Sequence, residues 1–161
     1  MLQRDDIAQI IEEYDRMKLR IGMTASHSAL DICDGGIEEG FPTVAYCQEG
    51  RHKTYANYFK TKRSSSGRVL RGMVDKAIVM PSFNDVMDES MQVEMRKRNV
   101  VYIPNRSFTS YSSIEDVENK FKVPLFGSRN MLRMEERTEE QDYYWILDKA
   151  GLPYPEAIEN P

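Results

Sequence analysis

Residues 20–30 read RIGMTASHSAL. An apolar run ends in small polar residues, a histidine stands between two serines, and a second apolar pattern opens. This is the pattern of a strand, a turn and the start of a helix. It predicts a strand over 19–25 and a helix over 28–39 with Ala29, Leu30, Ile32 and Cys33 turned inward. The Gly35-Gly36 pair opposes that helix by about 1 kcal/mol per glycine. Gly40 then supplies a stop.

Outward from this unit the same alternation continues. Upstream, Ile7, Ile10, Ile11, Tyr14 and Met17 recur at helical spacing and predict a helix over 5–18, with acids in its first turn. Downstream, PTVAYCQ at 42–48 is a second strand and KAIVM at 76–80 a third. Between them residues 51–76 read as a long loop with some local structure, including the low-complexity patch RSSSGR at 63–68. Asn84 is placed to cap a helix running to about Lys97. VVYIP at 100–104 is a short, fully apolar strand of the buried parallel kind. A short helix over 113–121 and an extended VPLF at 123–126 follow. Thr138 and Gln141 resemble a capping box for a last helix, with Tyr143, Ile146, Leu147 and Ala150 as its apolar stripe and Gly151 as its end. Strands alternating with helices predict an α/β fold, a Rossmann-like parallel sheet with helices on both faces.

Composition bounds the chemistry. The chain of 161 residues is 40% hydrophobic, enough for one buried core. No apolar run approaches the roughly 20 residues of a membrane helix, and MLQRDDIAQ lacks the apolar stretch of a signal peptide. Cys33 and Cys47 form no CxxC pair, which argues against a zinc site or disulfide framework and for a cytoplasmic location. The net charge of −4 disfavours a dedicated nucleic-acid binder. It hides an asymmetry: residues 51–76 carry eight Lys/Arg against one Asp, a local +7, so the remainder carries −11. Tyr55, Tyr58 and Phe59 interleave with those cations, a mixture able to meet phosphates and stack bases. The preferred reading is plainer, a solvated loop whose charge complements another domain or subunit.

In an open parallel sheet, ligands bind at the carboxyl ends of the strands. That places Ser26, His27 and Ser28 beyond the first strand, and Asn105, Arg106 and Ser107 beyond VVYIP, in one crevice. A histidine, an arginine and several hydroxyls beside a helix start suit a phosphorylated small molecule. The alternative is a capping serine and an exposed loop histidine. The sequence contains no GxGxxG and no GxxxxGK[ST], so it has neither a dinucleotide fingerprint nor a P-loop. His27 and His52 lack the clustered partners of a metal site, and no GxSxG elbow supports a serine triad. The acids of EERTEEQD at 135–142 fit a solvated helix start, and Met80, Met87, Met91 and Met95 fit a core.

Five segments taken together resemble a family: TASHSAL at 24–30, EGFPTVAYCQEGR at 39–51, VVYIPNRSF at 100–108, DVENKFKVPLFGSRNMLRMEE at 116–136 and LDKAGLPYP at 147–155. Their order is similar to the N-terminal domain of the archaeal formate-dependent FAICAR synthetases, ATP-grasp ligases of purine biosynthesis. The resemblance spans about residues 5–155. It implies that ATP activates formate, and that the amine of the ribonucleotide AICAR attacks the activated formyl group to give FAICAR. It implies His27 and Ser107 as AICAR-contacting residues, with no catalytic residue and no metal ligand in this chain. ATP, Mg or Mn, and formate would be handled by a C-terminal ATP-grasp domain. The family pattern has a His-Gly pair where this chain has Asn105-Arg106, a bulkier, charged loop. On this reading residues 1–151 are the substrate-binding domain and 152–161 the start of a linker to the ATP-grasp domain. The 161 residues alone are then expected to be inactive. Homo-oligomerisation, and the exact nucleotide, are left open. Two other readings remain: a stand-alone module whose basic loop binds nucleic acid, and a ligase relative acting on another phosphorylated amine.

Overall fold

The computed structural model describes residues 2–135 and 141–156. They fall into two compact units, Met1–Gly127 and Ser128–Pro161. The first unit holds helix α1 (Arg4–Glu12), strand β1 (Arg20–Thr24), α2 (Ala29–Glu38), β2 (Thr43–Gln48), β3 (Lys62–Arg63), β4 (Val69–Arg71), β5 (Lys76–Met80), α3 (Glu89–Lys97), β6 (Val100–Tyr102), α4 (Arg106–Tyr111) and α5 (Ile114–Lys120). The second holds a 3-10 segment, Arg129–Glu135, and helix α6 (Tyr143–Lys149).

Four strands form one sheet in the order β5-β2-β1-β6, all parallel. Residue alternation along them divides the core between two faces. On one face Met23, Ala25, Ala45 and Cys47 pack with Ala29 and Cys33 of α2 and with Tyr55 and Val74. On the other, Tyr46 meets Tyr102, and Tyr102 packs with Phe108 of α4 and Phe121, with ring centroids 4.9–6.0 Å apart. Such ring pairs contribute beyond their buried area. Helices therefore cover both faces, as expected. The strand register explains two glycines. A Cβ on Gly22 in the central strand would stand 2.5 Å from Val100 Cγ1 and 3.2 Å from the Tyr46 ring. One on Gly36 would meet Thr43 Cγ2 at 3.1 Å, so this helical glycine lets α2 lie close against the sheet.

Several local expectations are corrected. The helix predicted over 5–18 ends at Glu12. Tyr14 leaves it to bury its ring and donates from Oη to the Val100 carbonyl at 2.9 Å. Asn99 Oδ1 accepts from the Asp15 N–H, and Met17, the last residue of the predicted helical pattern, is 92% exposed. Asn84 caps nothing. Ser82 and Asp85 form a reciprocal capping box on the 3-10 turn Phe83–Met87, and α3 starts afresh at Glu89. PNRSF, read as a loop, contains the first turn of α4. The basic loop contains a π-helical turn, Thr54–Tyr58, and the β3–β4 hairpin. The VPLF segment is extended where expected: the Tyr102 N–H donates to Pro124 O and the Phe126 N–H to Tyr102 O. The last helix begins at Tyr143, with Asp142 Oδ1 accepting from the Trp145 N–H. Thr138, half of the predicted capping box, lies outside the described residues. No residue of α6 is buried, so its predicted apolar stripe is only half-covered at Ile146 and Leu147.

Candidate active-site crevice

Strand order decides where a ligand fits. From β1 the chain crosses to β2 on one side, while β6 lies on the other side of β1. The connections diverge between β1 and β6, and the loops leaving the carboxyl ends of those two strands bound the crevice at such a point. They are residues 25–28 and 103–107, the two loops expected from the sequence.

Asn105 joins them. Its Nδ2 donates to Thr24 O at 2.9 Å and to Ser26 O at 3.1 Å. Its Oδ1 accepts from the Phe108 N–H at 3.2 Å, which caps α4. One 7%-exposed side chain therefore fixes the β1 turn, the β6 loop and the start of α4 relative to one another. Beneath it, Thr24 Oγ1 and Tyr102 Oη, at the carboxyl ends of β1 and β6, are 2.6 Å apart. Burial pushes the Tyr102 phenol well above its ordinary pKa, so it stays protonated as a hydrogen-bonding group.

His27 sits at the tip of the β1–α2 turn with φ 45°, a left-handed backbone that non-glycine residues adopt rarely. The turn is closed by the Ser26 N–H donating to Thr24 O and the Ala29 N–H to Ser26 O, and it presents the His27 ring to solvent. Ser28 stands at the N-cap of α2 but its hydroxyl makes no capping bond. Ser107 is fully buried in the first turn of α4, and its Oγ has no hydrogen-bond partner. A buried, unpaired hydroxyl costs about 1–3 kcal/mol unless something binds it. The structure thus brings the loops of His27 and Ser107 together through Asn105. The sequence placed Asn105 in this crevice. Its clamping role depends on contacts 79 and 81 residues away and left no local signal.

Other candidates lie elsewhere. Asp75 anchors the basic hairpin: its carboxylate pairs with Arg63 at 2.8 Å and accepts from the Thr43 N–H, and the Lys60 ammonium donates to its carbonyl. Thr43 and Asp75 mark the amino ends of β2 and β5, the pole opposite the crevice. Cys33 and Cys47 are buried and their thiols are pushed up to about 12 by burial, so neither is an activated nucleophile. Among the described residues no group of His, Cys, Asp or Glu could hold a metal ion, and no helix is long and apolar enough to cross a membrane. A cavity of about 340 Å³ lies along the outer edge of β6, lined by Ile11, Tyr14, Leu19, Val101, Leu125 and Phe126 among others. It is almost wholly apolar and contains none of the crevice residues.

The fold is an open parallel α/β unit in which the loops leaving β1 and β6 diverge and are tied together by Asn105. Residues 21–158 match the model of a family described as "Protein of unknown function (DUF1246)", and the chain belongs to that family. Over its whole length it is 36% identical to the 5-formaminoimidazole-4-carboxamide-1-(beta)-D-ribofuranosyl 5'-monophosphate synthetase of Methanopyrus kandleri, of which it covers 41%. It is 33% identical, again over its whole length, to the enzyme of the same name from Methanocaldococcus jannaschii, of which it covers 40%. It also resembles the crystal structure of an IMP biosynthesis protein PurP from Thermococcus kodakaraensis, with a TM-score of 0.60 and 29% identity over 86% of this chain and 39% of that one. The chain spans about two fifths of the length of the curated relatives it matches.

Proposed function

We propose that this chain is the nucleotide-substrate part of an ATP- and formate-dependent ligase that converts AICAR to FAICAR in purine biosynthesis. Residues 1–151 form the substrate-binding portion, and the proline-containing run from 152 leads toward a domain that binds ATP. The relatives' names support the reaction, and the crevice supports the role within it. The observation that carries the role is the pairing of an exposed His27 with a buried, unpartnered Ser107 hydroxyl across the Asn105 clamp.

His27 offers a ring nitrogen to a polar group of the nucleotide, and Ser107 offers a hydroxyl to a neutral amide or ribose oxygen. The rigid turn and the capped helix hold both in place before the ligand arrives, which reduces the entropy lost on binding. On this reading metal and ATP chemistry belongs to the remainder of the enzyme.

The test is calorimetric titration of the full-length protein with AICAR. His27→Ala and Ser107→Ala are each expected to weaken binding by about 1–3 kcal/mol. Wild-type affinity in both variants would remove the crevice from the mechanism.

A further inference from the structure

We propose that a second copy of this chain docks on the face shared by α2 and the β3–β4 hairpin, with the hairpin of each copy against α2 of the other across a two-fold axis. This surface uses none of the crevice residues and does not depend on the nucleotide reading above.

The hairpin is a braced, basic prong. Arg63 donates from Nε and Nη2 to Asp75 Oδ1 at its base and from Nη1 to Gly67 O at its tip. Ser64 Oγ accepts from the Arg68 N–H, and Gly67 closes the turn with φ 85°. On this frame Lys62 and Arg71 are cross-strand partners. Like charges opposed across a ladder repel. Both are exposed, as is Arg68, and none of the three has an ion pair among the described residues.

Helix α2 carries the opposite array. From Ser28 to Gly40 the chain has four acids and no Lys or Arg. Asp31, Asp34 and Glu38 recur at helical spacing and are exposed. Like charges at that spacing repel, and Glu38 stands in the last turn, where the helix dipole disfavours negative charge. These acids also lack ion pairs among the described residues.

Each array is unfavourable alone and would be relieved by the other, yet within one chain they do not pair. They lie on one face of the sheet. Ala29 and Cys33 of α2 share a core cluster with Val74, Phe59 and Met73, and the hairpin is rooted there by the Met73 N–H donating to Phe59 O and the Thr61 N–H to Val74 O. Two stripes of opposite sign, side by side, match a second copy of themselves, because a two-fold axis sets each stripe on its opposite. Leu70, 65% exposed beside Arg71, adds an apolar contact. A nucleic acid fits this face less well, since the acidic stripe beside the hairpin repels phosphates.

The experiment is sedimentation of the full-length protein across a salt series. Wild type should self-associate, and less tightly as salt rises. Lys62→Glu/Arg71→Glu and, separately, Asp34→Lys/Glu38→Lys are each expected to weaken that association by at least about tenfold. The first variant is acidic on both stripes and the second basic on both, so mixing them should restore association. All four substitutions in one chain should restore it too, which separates lost pairing from misfolding. A monomeric wild type, double variants that associate as wild type does, or a fourfold variant that stays dissociated would each overturn the two-fold contact. Loss of salt-dependent RNA binding in Lys62→Glu/Arg71→Glu, with self-association intact, would overturn it as well and give the hairpin to nucleic acid.

Discussion

Asn105→Ala is the sharpest test of how the crevice is assembled. The substitution removes three hydrogen bonds from one buried position. Loss of the α4 cap costs about 1 kcal/mol. Each of the two bonds to Thr24 O and Ser26 O is worth about 1 kcal/mol net. The Thr24 carbonyl keeps the Ser26 N–H as a partner, and Ser26 is partly exposed to water, so the full penalty of orphaned carbonyls does not apply. The expected destabilisation is about 2–3 kcal/mol, read by urea denaturation, or about 5–10 °C in melting temperature. Asn105→Asp separates the two functions. Its carboxylate can still accept from Phe108 N–H, but it places negative charge against two carbonyl oxygens. The folded state then raises that carboxyl's pKa, so stability is present at low pH and lost as pH rises through the folded value. Asn105→Asp should therefore be destabilised at pH 7 and recover toward pH 4 relative to Asn105→Ala. If both variants lie within about 0.5 kcal/mol of wild type at pH 7, the clamp does not hold the two loops together.

Two further outcomes follow from packing and burial. Gly22→Ala should destabilise by about 1–2 kcal/mol, because its Cβ meets Val100 Cγ1 at 2.5 Å and overpacking outweighs the entropy gained. Gly35→Ala, with nothing within 4 Å of the added methyl, should stabilise by about 0.5–1 kcal/mol; paired urea melts of the two variants read the opposite signs. The Cys33 and Cys47 thiols are raised by burial to about 12 in the folded state, so their contribution to stability is complete below the unfolded thiol pKa and is lost as pH rises toward 12. Folding free energy measured from pH 8 to 11 should fall, and the fall should be shallower in Cys33→Ala/Cys47→Ala; an unchanged slope would show that the thiols are not shielded.

Much of this was legible in the chain itself. The strand–turn–helix at 20–38 has the right elements at the right places because apolar spacing and small turn residues act locally. The four parallel strands were found for the same reason, since short apolar runs of Val, Ile, Ala and Met suit strands buried on both faces. The Gly36 anomaly in α2 looked like a weakness and is a packing requirement, visible only once Thr43 and Ile21 lie beneath it.

What failed to show was non-local. Helix α1 stops early because Tyr14 is drawn to Val100, 86 residues away, where its hydroxyl bonds a carbonyl on the edge of the sheet. The basic loop is a hairpin because Asp75 gathers Arg63, Lys60 and the start of β2 around one acid. By itself the sequence determined the four strands of the sheet, helix α2, the family likeness, and that His27 and Ser107 follow strand ends, because periodicity and turn chemistry act over a few residues. Only the tertiary structure decided the order β5-β2-β1-β6, which makes β1 and β6 neighbours and so sets the two expected loops side by side. It also decided that Asn105 locks them and that Ser107 is left buried with a free hydroxyl. Strand order and burial arise from pairings between distant segments, which no window of the sequence contains.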